Sequence, residues 1–188
     1  MNTETVLSIL VGVALAAACG FRVFVPMLVM SVASYTGHLS LSSGFEWIGT
    51  LPALISFGVA TVFEIAGYYI PWVDHLLDII ATPAAVVAGS VAMASSLVGM
   101  SPFLHWTLAI IAGGGIAGLI QAFTGVARFT STATTGGIGN PVVSTAEAGG
   151  SITLSVLAVV VPFVAAAIVL IVLFFAVRML YKKFFQPT

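Results

Sequence analysis

Six ionisable side chains sit in or beside the apolar stretches of this chain: Arg22, Glu64, Asp74, Asp78, Arg128 and Glu147. Glu64 lies thirteen residues into the apolar run 51–71. A charge at that depth in a bilayer costs several kcal/mol unless it faces a partner or water. Glu64 is therefore either a proton or cation site or half of a structural salt bridge to Arg22 or Arg128. Asp74 and Asp78 are four residues apart, so a helix stacks them on one face. Carboxylates so placed repel unless a cation or a shared proton intervenes. They can also serve as a helix cap, because Pro71 suits a first turn and acids suit its positive dipole end. Arg22 and Arg128 are the only basic residues before the C-terminal cluster. A permanent cation among helices can hold an anionic solute or pair with an acid.

The stretch from Thr130 to Ser151 is the least apolar part of the chain, with eight hydroxyl residues, five glycines and one charge, Glu147. Hydroxyls such as those of Thr134 and Thr135, the Asn140 amide and glycine carbonyls can replace an ion's hydration shell. A re-entrant loop is one reading, since irregular backbone is tolerated at depth where protein or water covers it. An ordinary surface loop is the other, ending in a Ser144-Thr-Ala-Glu147 capping box. The glycines match neither a Walker loop nor a dinucleotide fingerprint, so no nucleotide cofactor is expected.

The elements that must position these groups are transmembrane helices. Of 188 residues, 60% are hydrophobic and 6% charged, and the mean hydropathy is +1.21. A soluble domain carries about a quarter charged residues, so a water-facing globule and a disordered chain are both excluded. The net charge of −1 offers no basic patch for nucleic acid. Cys19 is the single cysteine, which excludes an intrachain disulfide and a cysteine metal site. Metal binding is otherwise open.

Apolar runs at 5–35, 51–71, 79–100, 103–127 and 152–177 predict an all-α polytopic bundle of about five spans, with broken or re-entrant segments. Pro26 clashes with the carbonyl of Arg22, so run 5–35 should kink or split into half-helices near residues 20–26. Run 152–177 would be about 39 Å long at 1.5 Å per residue, with Pro162 a candidate kink. Arg178, Lys182 and Lys183 place the C-terminus in the cytoplasm by the positive-inside rule. Five spans put the N-terminus outside; six put it inside. Met1 to Thr5 carries no basic residue, so a cleaved secretory signal is not expected. Trp47, Trp72 and Trp106 fall near span ends, as aromatic anchors do.

Small residues recur at spacing four: Ser8, Gly12, Ala16 and Gly20; Ala84, Ala88, Ala92 and Ser96; Gly114 and Gly118. Such faces allow close helix packing, within one bundle or between two copies. Gly12 and Gly118 each precede an arginine by ten residues, and each arginine is followed by a Ser-x-x-Glu. This suggests an inverted repeat with halves 5–71 and 103–182 joined by helix 79–100, within a single domain.

Gly20-Phe-Arg22-Val-Phe-Val-Pro26, Phe45-Glu46-Trp47, Glu64, Pro71-x-x-Asp74-His75-x-x-Asp78-x-x-x-x-Pro83 and Asn140-Pro141-x-x-Ser144-x-x-Glu147 occur in that order. Together they resemble a bacterial membrane-protein family catalogued as domain of unknown function 4126. The resemblance covers nearly the whole chain, implies an inner-membrane protein and implies no activity. In that family a lysine often stands two residues before the proline; here it is Tyr69.

Three functions follow. The first is a small transporter or channel moving an ion or small polar solute past Arg22, Glu64, Asp74, Asp78, Arg128, Thr134, Thr135, Asn140 and Glu147, in a homo-oligomer, most simply a dimer. The second is a scaffold or accessory subunit whose charges form a closed network. The third is a lipid-directed enzyme using His75 between Asp74 and Asp78; no nucleophile motif supports it, and the chain is not expected to be an enzyme.

Overall fold

The computed structural model describes residues 3–185, without the side chains of residues 71, 75 and 183–185. Among the described residues the regular structure is entirely helical. The order is α1 (Thr3–Cys19), α2 (Phe24–Tyr35), a 3₁₀ turn (Glu46–Gly49), α3 (Leu51–Gly67) and α4 (Pro71–Ser96). Then come α5 (Pro102–Leu108), a π-helical turn (Ala109–Gly114), α6 (Gly115–Thr135), α7 (Asn140–Val160) and α8 (Pro162–Phe185). Among the described residues four segments are long and apolar enough to cross a membrane: Trp72–Ser96, Pro102–Thr135, Asn140–Val160 and Pro162–Lys182. Thr3–Cys19, Phe24–Tyr35 and Leu51–Gly67 are shorter apolar helices.

Run 5–35 is two antiparallel helices. The hydroxyl of Ser8, near the start of α1, accepts from the Val98 N–H beyond the end of α4. Gly20 at the other end packs on α6, where a Cβ would meet Ile120 and the Ala117 carbonyl. Then α2 starts beside Glu64 and returns, so that Ser95 of α4 donates to the Met30 sulfur. The link is residues 20–23. Pro26 falls at the third position of α2, where the missing N–H has no helical partner to lose.

Three boundaries differ from the sequence expectation. Helix α4 begins at Pro71, so Asp74 and Asp78 lie in its first two turns. The hydroxyl- and glycine-rich stretch is not a re-entrant loop: α6 continues to Thr135, Gly136 closes it with φ 65°, and α7 starts at Asn140. Run 152–177 divides at Val161, held out of the α region (φ −139°, ψ 72°) before Pro162. Gly149, Gly150 and Thr153 of α7 and Ile168 and Val172 of α8 line one cavity, so the two helices fold back on each other.

Small residues set the interhelical spacing. A Cβ on Gly89 would meet Ala117 and the Gly113 carbonyl, and one on Gly114 would meet Ser90 and Val86. Both α4 and the α5–α6 segment thus approach backbone to backbone within one chain. Leu15, Met30, Ile120 and Val169 fill the centre of the bundle. The two Arg-bearing stretches fold differently, since Arg22 lies in the α1–α2 link and Arg128 inside α6.

Candidate functional site

At one end of the bundle, α1, α3 and α6 finish where α2, α4 and α7 begin. Arg128 is the centre of the polar cluster there. Its Nε donates to Glu147 Oε1 (3.0 Å) and its Nη2 to Ser144 Oγ (3.1 Å) and Glu147 Oε2. Its Nη1 donates to Asp74 Oδ1 at 2.5 Å and lies 3.6 Å from Asp78 Oδ1. Arg22 Nη2 donates to the Ser144 carbonyl (3.0 Å) and lies 3.2 Å from Glu147 Oε2. Both guanidiniums lie over the ring of Tyr68, at 3.7 Å for Arg22 and 4.2 Å for Arg128. Such contacts contribute about 0.5–2 kcal/mol each.

Local helix geometry makes this possible. Asp74 and Asp78, one turn apart, both face Arg128. Ser144 and Glu147 are three apart on α7, so they share the face that meets α1 and α6. They do not form a capping box: α7 starts four residues before Ser144, and Glu147 faces guanidiniums instead of the chain start.

Glu64 is held by backbone donors and not by the salt bridge that one sequence reading gave it. Its Oε1 and Oε2 accept the N–H groups of Val23 (2.7 Å) and Phe24 (3.0 Å), which caps α2 from another helix. Val23 offers no capping side chain, so a carboxylate from α3 satisfies the orphan donors and sits at the positive dipole end.

Asn140 donates to Asp74 Oδ2 (3.2 Å) and to Thr132 Oγ1 (3.1 Å), joining the cluster to the α6–α7 turn. Thr134 and Thr135 stand apart. Both are exposed, and both hydroxyls donate back to carbonyls of their own helix, Thr130 and Ser131. Tyr68, Thr132 and Ser144 complete the site without having been singled out as binding residues. Tyr68 shows no charge and no helix period that would mark it. The side chain of His75 lies outside the described residues. No three described His, Cys, Asp or Glu side chains group as metal ligands.

Arg22, Arg128, Asp74 and Glu147 are each at most 5% exposed. With every group ionised, two guanidiniums face four carboxylates, Glu64 included, which leaves two negative charges in excess. A cavity of about 460 Å³, lined by Tyr68, Tyr69, Asp74, Thr132, Gly137 and Asn140, reaches the cluster from the bundle end. A second, of about 230 Å³, lies between α3 and α4 and is apolar apart from Glu64 and Tyr68.

The family model described as "Domain of unknown function (DUF4126)" matches residues 9–182. No match is found among curated proteins or among solved structures.

Proposed function

Because the chain belongs to the family described as Domain of unknown function (DUF4126), which names no activity, we propose a function from the site itself. The protein is a small membrane transporter or channel for an ion or small polar solute, entered through the cavity at Asp74 and Asn140. The observation that carries this is the meeting of that cavity with a largely buried cluster in which four carboxylates face two guanidiniums. Buried charge in a membrane is expensive, and it tends to mark solute pathways or proton relays.

The entry cavity shares its end of the bundle with Arg178 and Lys182, which line a surface groove with Val126 and Thr130 of α6. By the positive-inside rule that end is cytoplasmic, in the bacterial inner membrane. A homodimer is the proposed assembly, since so few helices leave little room for a moving part within one copy. No catalysis is proposed.

A second reading has its own support. Every nitrogen of Arg128 is engaged by acids or Ser144, as a closed network that fixes helix register would require. The two readings separate in proteoliposomes bearing potassium, sodium or proton gradients. Transport predicts flux in the native protein and its loss in Asp78→Asn. Absence of flux for all three, with stable co-purification of one membrane partner, would instead establish the scaffold.

A further inference from the structure

We infer that the two cavities are the ends of one route for a small cation, closed at Tyr68. This rests on the transport reading and adds the barrier, the second end and the charge of the solute. Of the residues lining the two cavities, Tyr68 is common to both. It follows the last turn of α3, in the link 68–70 before α4, and is 7% exposed. Its ring therefore stands between the Glu64 cavity and the Asp74 cavity. Two guanidiniums rest against that ring, and they are tied to Glu147, Asp74 and Ser144. The barrier is thus held by the cluster, and a change in the charge of any acid in it alters what holds the ring.

The solute class follows from the carboxylates. Each cavity has one in its wall, Glu64 in the first and Asp74 in the second. Those two carboxylates, with Asp78 and Glu147, face only two guanidiniums, so the route as a whole is negative by two charges with every group ionised. An anion would face that excess along the whole route. A multivalent metal ion lacks the grouped ligands it needs among the described residues. A small monovalent cation or a proton meets a carboxylate at both ends, with the Thr132 hydroxyl and Asn140 amide oxygens beside Asp74.

Single-cysteine labelling tests this without knowledge of the solute. Cys19 is the one native cysteine, so Cys19→Ala supplies the background. Ile138→Cys reports the Asp74 cavity and Ala84→Cys the Glu64 cavity. Membrane-impermeant methanethiosulfonates, one trimethylammonium and one sulfonate, are applied from each face in turn. Ile138→Cys should label from one face in every background. Ala84→Cys should stay unlabelled from that face while Tyr68 is present. It should become labelled from that same face in Tyr68→Ala, and by the cationic reagent faster than by the anionic one. Tyr68→Met serves should the alanine variant fail to fold, and Ile138→Cys labelling in the same chain reports folding. Ala84→Cys labelled from that face beside intact Tyr68 would overturn the barrier. Its silence in both Tyr68 variants, with Ile138→Cys labelled, would overturn the route. An anionic preference would overturn the cation. Silence of Ile138→Cys from both faces would instead defeat the entry cavity, and with it the transport reading.

Discussion

Replacing Arg128 by methionine is the sharpest test of the cluster's energetics. The substitution removes the donors to Asp74 Oδ1, Ser144 Oγ and both Glu147 oxygens. Glu147 keeps Arg22 at 3.2 Å, whereas among the described residues Asp74 keeps only the Asn140 amide. The variant therefore strands one buried carboxylate, Asp74. Removing one partner of a buried pair costs about 3–5 kcal/mol, a large part of the 5–15 kcal/mol that typically holds a protein folded. An ordinary interhelical hydrogen bond in a bilayer averages only about 0.6 kcal/mol, so the loss expected here is that of an uncompensated charge. The second half of the cycle isolates it. Asp74→Asn alone leaves Arg128 on Glu147 and Asp78 and should cost about 1–3 kcal/mol. The double variant Arg128→Met/Asp74→Asn carries no stranded charge at Asp74, and should be more stable than Arg128→Met although it has one substitution more. Reversible unfolding in mixed detergent micelles, followed by the fluorescence of Trp47, Trp72 and Trp106, measures all three. A double variant less stable than Arg128→Met, or Arg128→Met within about 0.5 kcal/mol of the native protein, would refute the reasoning.

Two further substitutions test the scaffold around the cluster. Glu64→Ala removes the acceptor for the Val23 and Phe24 N–H groups and should destabilise by about 1–3 kcal/mol; Glu64→Gln, which keeps one oxygen for one of them, should lose less in the same unfolding assay. Gly89→Ala places a Cβ against Ala117 and the Gly113 carbonyl, and overpacking of this kind costs about 1–3 kcal/mol, whereas Gly149→Ala, open on every side, should be nearly neutral.

Much of the fold was legible because prolines act locally. Pro26 placed the break between the first two helices within the stretch where it occurs. Pro162 was read as a bend and is a full division, because Val161 before it leaves the α region. The hydroxyl-rich stretch misled for a definite reason. Thr130, Thr134, Thr135 and Thr145 each donate to the carbonyl four residues back, so their hydroxyl protons are taken up within a helix. Composition cannot separate that from a loop whose hydroxyls face a solute. The spacing of Asp74 and Asp78 correctly put both on one face. That this face meets Arg128, 54 residues beyond Asp74, is a tertiary fact. Glu64 was legible as a buried charge, but its partners are backbone N–H groups, which every residue type carries and no motif marks.

Helix ends explain where three of these six charges sit, and ion pairs of unequal exposure hold the others. Glu64 meets the start of α2 and Asp74 lies in the first turn of α4, both positive ends; Arg22 follows the end of α1, a negative one. The dipole acts only within the first or last turn, so it does little for Asp78 and Glu147, each eight residues into its helix. Glu147 is gripped by both arginines, while the ion pair of Asp78 is the longest of the four at 3.6 Å, and its side chain is a third exposed. An ion pair that solvent reaches contributes about 0–1 kcal/mol. Asp78→Asn should therefore leave unfolding within about 1 kcal/mol of the native protein, with Arg128 still on Asp74 and Glu147. A purely structural network then predicts a variant indistinguishable from native in every assay. A permeation route predicts lost flux in a protein of unchanged stability. Flux that survives the substitution would remove Asp78 from the route, and a loss of stability as large as that of Arg128→Met would show that the acid belongs to the frame.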